Sequence, residues 1–279
     1  MSDLNFLKQV LSVPTVTYNE GLMVDFITTW LEKNNIEYFV DTNNNVYATK
    51  HDGSELPQGF YYPCVISHTD TVHAIDSINV IEGKLPNAQG DVKDALLAIN
   101  EQGKATGIGG DDKCGVFACL TLLKELPFLK AAFFVSEETG CYGSKQADDE
   151  FFSNVGYAIQ FDAPENWMVT EKCFGAQLFD RESEFFTKVD KVLTENMVNE
   201  DMDYMTHPYT DVWALRNLYD FACINFSIGY YNYHTRNEYV IPEDVYNGIK
   251  MGREMIESLG YTLHYKKKQT NPMKYTLWD

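Results

Sequence analysis

His68 and Asp70 close the apolar run VISHTDTVHAI at residues 65–75, with His73 three positions on. In a strand, side chains two apart share a face, so His68 and Asp70 would project together from the carboxyl end, where open α/β sheets gather their ligands. A metal-ligating histidine steadied by an aspartate on its other ring nitrogen is one use for that pair. Alone, an H-x-D triplet is more often an ordinary hydrogen-bonded pair. Similar clusters recur, however. GIGGDDKCGVFACL sets Asp111 and Asp112 after glycines at the head of an apolar-periodic helix, where acidic residues also serve as caps. FFVSEETG ends an apolar run on Glu137 and Glu138, neighbours that face opposite sides of a continuing strand and could hold two jobs. IQFDAP ends another on Asp162, and YYNYHTRNEYV supplies His234. Each has an ordinary reading as a cap, a solvated strand end, a turn residue before Pro164 or a satisfied polar histidine. Together they favour a metal site. Two histidines with several carboxylates and no thiolate suit Zn²⁺, Mn²⁺ or Co²⁺, and a shared carboxylate holds two such ions side by side.

The elements that must position these residues read as alternating helix and strand patterns. The spacing of Phe6 and Val10, and of Met23, Phe26, Ile27, Trp30 and Leu31, predicts helices over 4–11 and 21–35. IEYFVD, NVYATK, YYPCVIS, KAAFFVS, VGYAIQFD and FACINFSIG read as strands. CGVFACLTLLKEL, SEFFTKVDKVLTENM and PEDVYNGIKMGREMIESLG read as helices, the last with Pro242 at its start. Residues 74–107 look like a strand-turn excursion. The alternation predicts an α/β fold, a mixed and largely parallel sheet flanked by helices. No Pro/Gly/Ser-rich linker cuts the chain, so residues 1–279 are expected to form one domain.

Composition narrows the partners. The 279 residues are 44% hydrophobic, ordinary for a globular protein. With 22 Lys and Arg against 41 Asp and Glu, the net charge of −19 repels phosphate backbones and suits cations. Nucleic acid is therefore not expected as a partner. Six cysteines stand singly, without C-x-x-C spacing, which indicates reduced, buried thiols. No run approaches the ~18 apolar residues of a membrane span, and the first residues carry no apolar leader core. No membrane association and a cytoplasmic location are the expectations. The aromatic content of 14% reads as core, and the basic tail HYKKKQTNPMKYTLWD as a solvated end.

SHTDTVHAI, GIGGDDKCGVFACL and SEETGCYGSK, in this order, resemble the co-catalytic dinuclear zinc exopeptidase superfamily, most closely its peptidase T, aminoacylase and carboxypeptidase G branch. The resemblance runs over about residues 1–260. It implies that His68, Asp112 and Asp162 bind one metal ion, and that a bridging Asp112, Glu138 and His234 bind a second. It further implies that Asp70 orients His68 and that Glu137 is the general base. The bridge falls on Asp112 rather than Asp111 because the superfamily's bridging aspartate directly precedes this lysine; a cis peptide at Asp112–Lys113 goes with that choice. The implied activity is hydrolysis of peptide bonds by a hydroxide held between two divalent ions, zinc first and manganese or cobalt as alternatives. A short peptide is the implied substrate.

The chain departs from that branch in length. Its members insert a lid and dimerisation domain between the third carboxylate ligand and the last histidine, whereas here only residues 163–233 lie between Asp162 and His234. The stretch from His207 to Val240 is instead similar to the lidless aminopeptidase branch. Without a lid, substrate and oxyanion contacts must come from elsewhere, with His207, Tyr209, Tyr231, Tyr233 and Glu238 as candidates. Glu238, four residues after His234, would suit a free α-amine, while Arg216 and Arg236 are the arginines near enough to meet a free carboxylate. An aminopeptidase or di/tripeptidase is the leading expectation. An N-acyl amino-acid or cell-wall peptide amidase, a cyclase-like transferase and a catalytically silent metal-binding protein are the alternatives, and the oligomeric state stays open.

Overall fold

Four strands, Leu129–Phe134, Tyr62–His68, Val155–Ala163 and Ala222–Ser227, are buried at every position, as befits a parallel sheet covered on both faces. They lie in that order and run parallel, so their carboxyl ends share one edge. His68, Asp162 and, just past Phe134, Glu137 and Glu138 are all delivered there. The computed structural model describes residues 3–266 apart from Pro57, Ile75, 197–202 and Pro208, with the side chains of 203–207 also outside the description.

Antiparallel strands extend this core on both sides. Val46–Lys50 and Glu37–Val40 flank Leu129–Phe134, while Met168–Cys173 and Ala176–Gln177 flank Ala222–Ser227. Asp203–His207 joins Met168–Cys173 in parallel. The sheet is thus mixed with a parallel centre, and helices flank it. Gly110–Glu125 packs on Tyr62–His68 and Val155–Ala163 and is covered by Leu4–Leu11 and Pro242–Leu259. The predicted helices stand, with ends shifted by a residue or two except at Gly110–Glu125, which begins four residues before the predicted start at Cys114. Residues 163–220, where the sequence pattern places strands and a helix around 184–198, hold helix Glu184–Asn196, the short strands just named and helix Asp211–Leu218. All of these belong to the main sheet or its flanks, so no separate lid is present among the described residues.

The excursion is more than a detour. Its hairpin, Asn79–Pro86 with Val92–Ile99, pairs with Tyr239–Val240, which pairs with Tyr230–Tyr231. This second sheet grips both ends of the loop 232–238 and so holds His234 over the carboxyl edge of the first.

Candidate metal centre

The head of helix Gly110–Glu125 decides how its two aspartates divide their work. Gly109 has φ 70°, a left-handed turn that glycine enters without strain, and Asp111 and Asp112 are non-helical. Asp112 then caps the regular helix. Its Oδ1 accepts from Gly115 N at 3.0 Å and its Oδ2 from His68 N at 3.1 Å. A Cβ at Gly115 would stand 2.2 Å from Asp112 Oδ1, so glycine is required for that approach. Asp112 is wholly buried, and burial together with the charge of Asp162 pushes its carboxyl well above the usual range.

Asp111 faces the other way, into the cluster. His68 Nε2 lies 3.1 Å from Asp111 Oδ1 and 3.6 Å from Asp162 Oδ1. His234 Nε2 lies 3.2 Å from Asp111 Oδ2 and 3.1 Å from Glu138 Oε2. Two groups result, His68–Asp111–Asp162 and Asp111–Glu138–His234, each with donor atoms within 4.8 Å of one another. The expectation for Asp112 is corrected here: Asp111 is the carboxylate common to both groups, and Asp112 belongs to neither. The cis peptide bond is likewise Asp111–Asp112 instead of Asp112–Lys113. Neighbouring aspartates fit the sequence spacing equally well, and only the backbone turn at Gly109 separates the cap from the shared group.

Asp70 steadies the cluster from below. Its backbone oxygen is 3.1 Å and its Oδ1 3.3 Å from His68 Nδ1, which leaves Nε2 turned to Asp111 and Asp162. The same carboxylate accepts from the amides of Glu137 at 2.9 Å and Glu138 at 3.2 Å, and from Thr17 Oγ1 at 2.9 Å. One buried aspartate thereby ties the end of one strand to the segment after the next. Burial opposes a charge on His68, yet its bonds to Asp111, Asp162 and Asp70 hold it well above its ordinary pKa. Bonds to Asp111 and Glu138 raise His234 to about 10. Burial pushes Glu137 well above the carboxylate range against the pull of His68, and raises Asp211 to about 7. Glu137 is 5% exposed, with Cys141 Sγ 3.4 Å from its Oε1. A buried carboxyl with a raised pKa, beside groups that could hold a cation, suits proton exchange.

Two of the expected substrate contacts are otherwise engaged. Glu238 is buried, and its carboxylate accepts from Gly109 N, Asp111 N and His73 Nε2, so it braces the turn that presents Asp111. Tyr231 is buried and donates to Asp244 at 2.6 Å. Tyr233 is exposed, its ring edge-on to His234 at 5.0 Å. His207 ends strand Asp203–His207, and its side chain lies outside the described residues. Arg216 is buried on the carbonyls of Gln177 and Phe221, and Arg236 is exposed on the His234 loop.

The residues that hold Asp162 lie outside the candidates drawn from the sequence. Gln160 Nε2 and Thr210 Oγ1 both reach its Oδ2, at 3.2 and 3.1 Å, leaving Oδ1 toward His68. Gln160 stands two residues before Asp162 on a buried strand, and a polar side chain on that face was the available signal. All six cysteines are buried, and no described helix is long and apolar enough to cross a membrane. A groove of about 1280 Å³ between Leu4–Leu11 and Gly21–Lys33 shares no residue with the cluster.

No family model matches the chain, and no curated protein matches it in sequence. Solved structures do match its fold. Aminopeptidase PepT from Bacillus cereus aligns over 92% of this chain and 97% of its own, with TM-score 0.69 and 13% identity. A tripeptidase from Staphylococcus aureus aligns over 91% and 96%, with TM-score 0.65 and 14% identity. The TET1 peptidase of Pyrococcus horikoshii, which assembles into a tetrahedron or a large octahedral shell, aligns over 93% and 99%, with TM-score 0.62 and 16% identity.

Proposed function

We propose that this chain is a member of the dinuclear zinc exopeptidase superfamily whose residues 1–279 form one lidless catalytic domain, and that it removes N-terminal residues from short peptides. The observation that carries the reading is Asp111, whose two carboxylate oxygens divide between a His68–Asp162 group and a His234–Glu138 group. Two nitrogens with shared and unshared carboxylates, and no thiolate, make a donor set that fits two zinc, manganese or cobalt ions. His68, Asp111 and Asp162 would hold one ion, and Asp111, Glu138 and His234 the other. When bound, such ions acidify water and polarise a carbonyl.

The protein's own part is to hold and move a proton. Glu137 takes a proton from the attacking water and returns it to the amide nitrogen as the C–N bond breaks, which gives a free carboxylate and a free amine. Asp70 keeps His68 in one orientation while its contacts to the Glu137 and Glu138 amides fix the base against the cluster. An acidic protein attracts the α-ammonium of a peptide, and Arg216, turned to backbone carbonyls, is not presented to a peptide carboxylate. Six singly spaced, buried cysteines suit a reducing cytoplasm. The test is mass spectrometry of one peptide in free, N-acetylated and C-amidated forms with metal-reconstituted protein. Acetylation should stop cleavage and amidation should not; the reverse outcome rejects reading from the amino end.

A further inference from the structure

The hairpin of Met168–Cys173 and Ala176–Gln177 turns on Phe174 and Gly175, with Cys173 paired to Ala176. Both turn residues have positive φ, 45° and 78°. Such a two-residue turn favours Asn-Gly or Gly-Gly, and a bulky side chain in it is strained. Burial gives Phe174 no compensation, since it is 64% exposed. Its ring instead stacks on Tyr209 at 5.7 Å between centroids and meets Trp213 at 5.5 Å, while Lys145 Nζ covers Trp213 at 5.3 Å. Phe174 thus stands open to solvent at the rim of an aromatic wall whose other two rings are half-buried. Strain kept at an exposed side chain points to use.

The wall adjoins the cluster. Tyr209 directly precedes Thr210, whose hydroxyl is 3.1 Å from Asp162 Oδ2. Lys145 is tied back to the base by short backbone bonds, Lys145 N to Cys141 O and Cys141 N to Glu137 O. Burial raises the Tyr209 phenol, and the charges of Glu137 and Glu138 raise it further, which places that ring within their field.

We propose that Phe174, Tyr209 and Trp213 form the subsite for the side chain of the residue whose carbonyl is attacked, and that this subsite takes large apolar or aromatic side chains. The assignment rests on the peptidase reading above. Ring faces favour apolar and aromatic partners, and the neighbouring carboxylates repel acidic ones. A basic side chain finds the best cation-binding face, Trp213, already covered by Lys145.

The test is Phe174→Asn, because asparagine enters the left-handed turn readily and keeps the hairpin. On metal-loaded protein, kcat/KM is compared for Phe-Ala-Ala and Ala-Ala-Ala. Calorimetry compares phenylalaninol with alaninol, neither of which has a bond to cleave. Wild type should prefer the large side chain by roughly 10- to 100-fold in both, and the variant's preference should fall to within about threefold. An unchanged preference in Phe174→Asn overturns the subsite, as does a wild type without preference. A wild type that selects phenylalaninol but cleaves neither peptide overturns the peptidase reading and keeps the subsite.

Discussion

Glu238→Gln separates two roles for one carboxylate. As a substrate contact it would leave the fold untouched when changed. In the structure it is wholly buried and receives three donors, Gly109 N at 2.9 Å and His73 Nε2 at 2.8 Å on Oε2, and Asp111 N at 3.2 Å on Oε1. Glutamine keeps the shape but has one acceptor oxygen and one amide nitrogen, so at least one of these donors then faces another donor. A buried bond to a charged group contributes ~1.5–3 kcal/mol and an abandoned buried donor costs ~1–3 kcal/mol, so the variant should lose roughly 2–4 kcal/mol. At about 2–4 °C per kcal/mol in chains of this order of size, its Tm should fall by roughly 5–15 °C. Equilibrium urea unfolding of the metal-free proteins measures the loss. Calorimetric metal titration should show weaker binding too, because the Asp111 amide is one of the donors. A variant within ~0.5 kcal/mol of wild type, with unchanged metal affinity and a raised KM, would refute the brace and restore Glu238 as a substrate contact.

Glu137→Gln should keep its metal and lose ~10²–10⁴-fold in turnover; activity close to wild type would remove Glu137 from the base role. Gln160→Ala should weaken one ion by ~10–100-fold and spare the other, since Gln160 holds both Asp162 and its second partner Thr210, and equal weakening of both ions in a two-site titration would count against it. Metal binding should strengthen as pH rises through the neutral range. In the metal-free protein His234 titrates at about 10 and His68 lies well above its ordinary value, so both carry protons that an ion must displace. Calorimetry in two buffers of different ionisation enthalpy would count the protons released, and a pH-independent affinity with none released would contradict this.

Much of the site is legible because parallel strands must end together. Once His68, Asp162 and the pair Glu137–Glu138 are placed at strand ends, the topology gathers them without further information. Choosing between Asp111 and Asp112 fails at the sequence level because both are adjacent acids at a helix start. The left-handed Gly109 and the capped Gly115 amide decide it, and these are conformational facts. Glu238 illustrates the same limit. Its nearness in sequence to His234 suggests a place at the surface of the site, while its partners lie 127 and 129 residues away on the Asp111 turn. Helix Asp211–Leu218 escapes the pattern because it buries Asp211 and Arg216 along with Val212, Ala214 and Leu215, so polar residues interrupt its apolar face.

Metal stoichiometry in wild type, Asp111→Asn and Asp112→Asn, measured by plasma mass spectrometry after reconstitution and dialysis, tests the central claim most directly. Wild type and Asp112→Asn should each retain two ions per chain, while Asp111→Asn should retain one or none. Loss of metal from Asp112→Asn, with two ions kept by Asp111→Asn, would contradict the shared Asp111 on which the proposed two-ion centre rests.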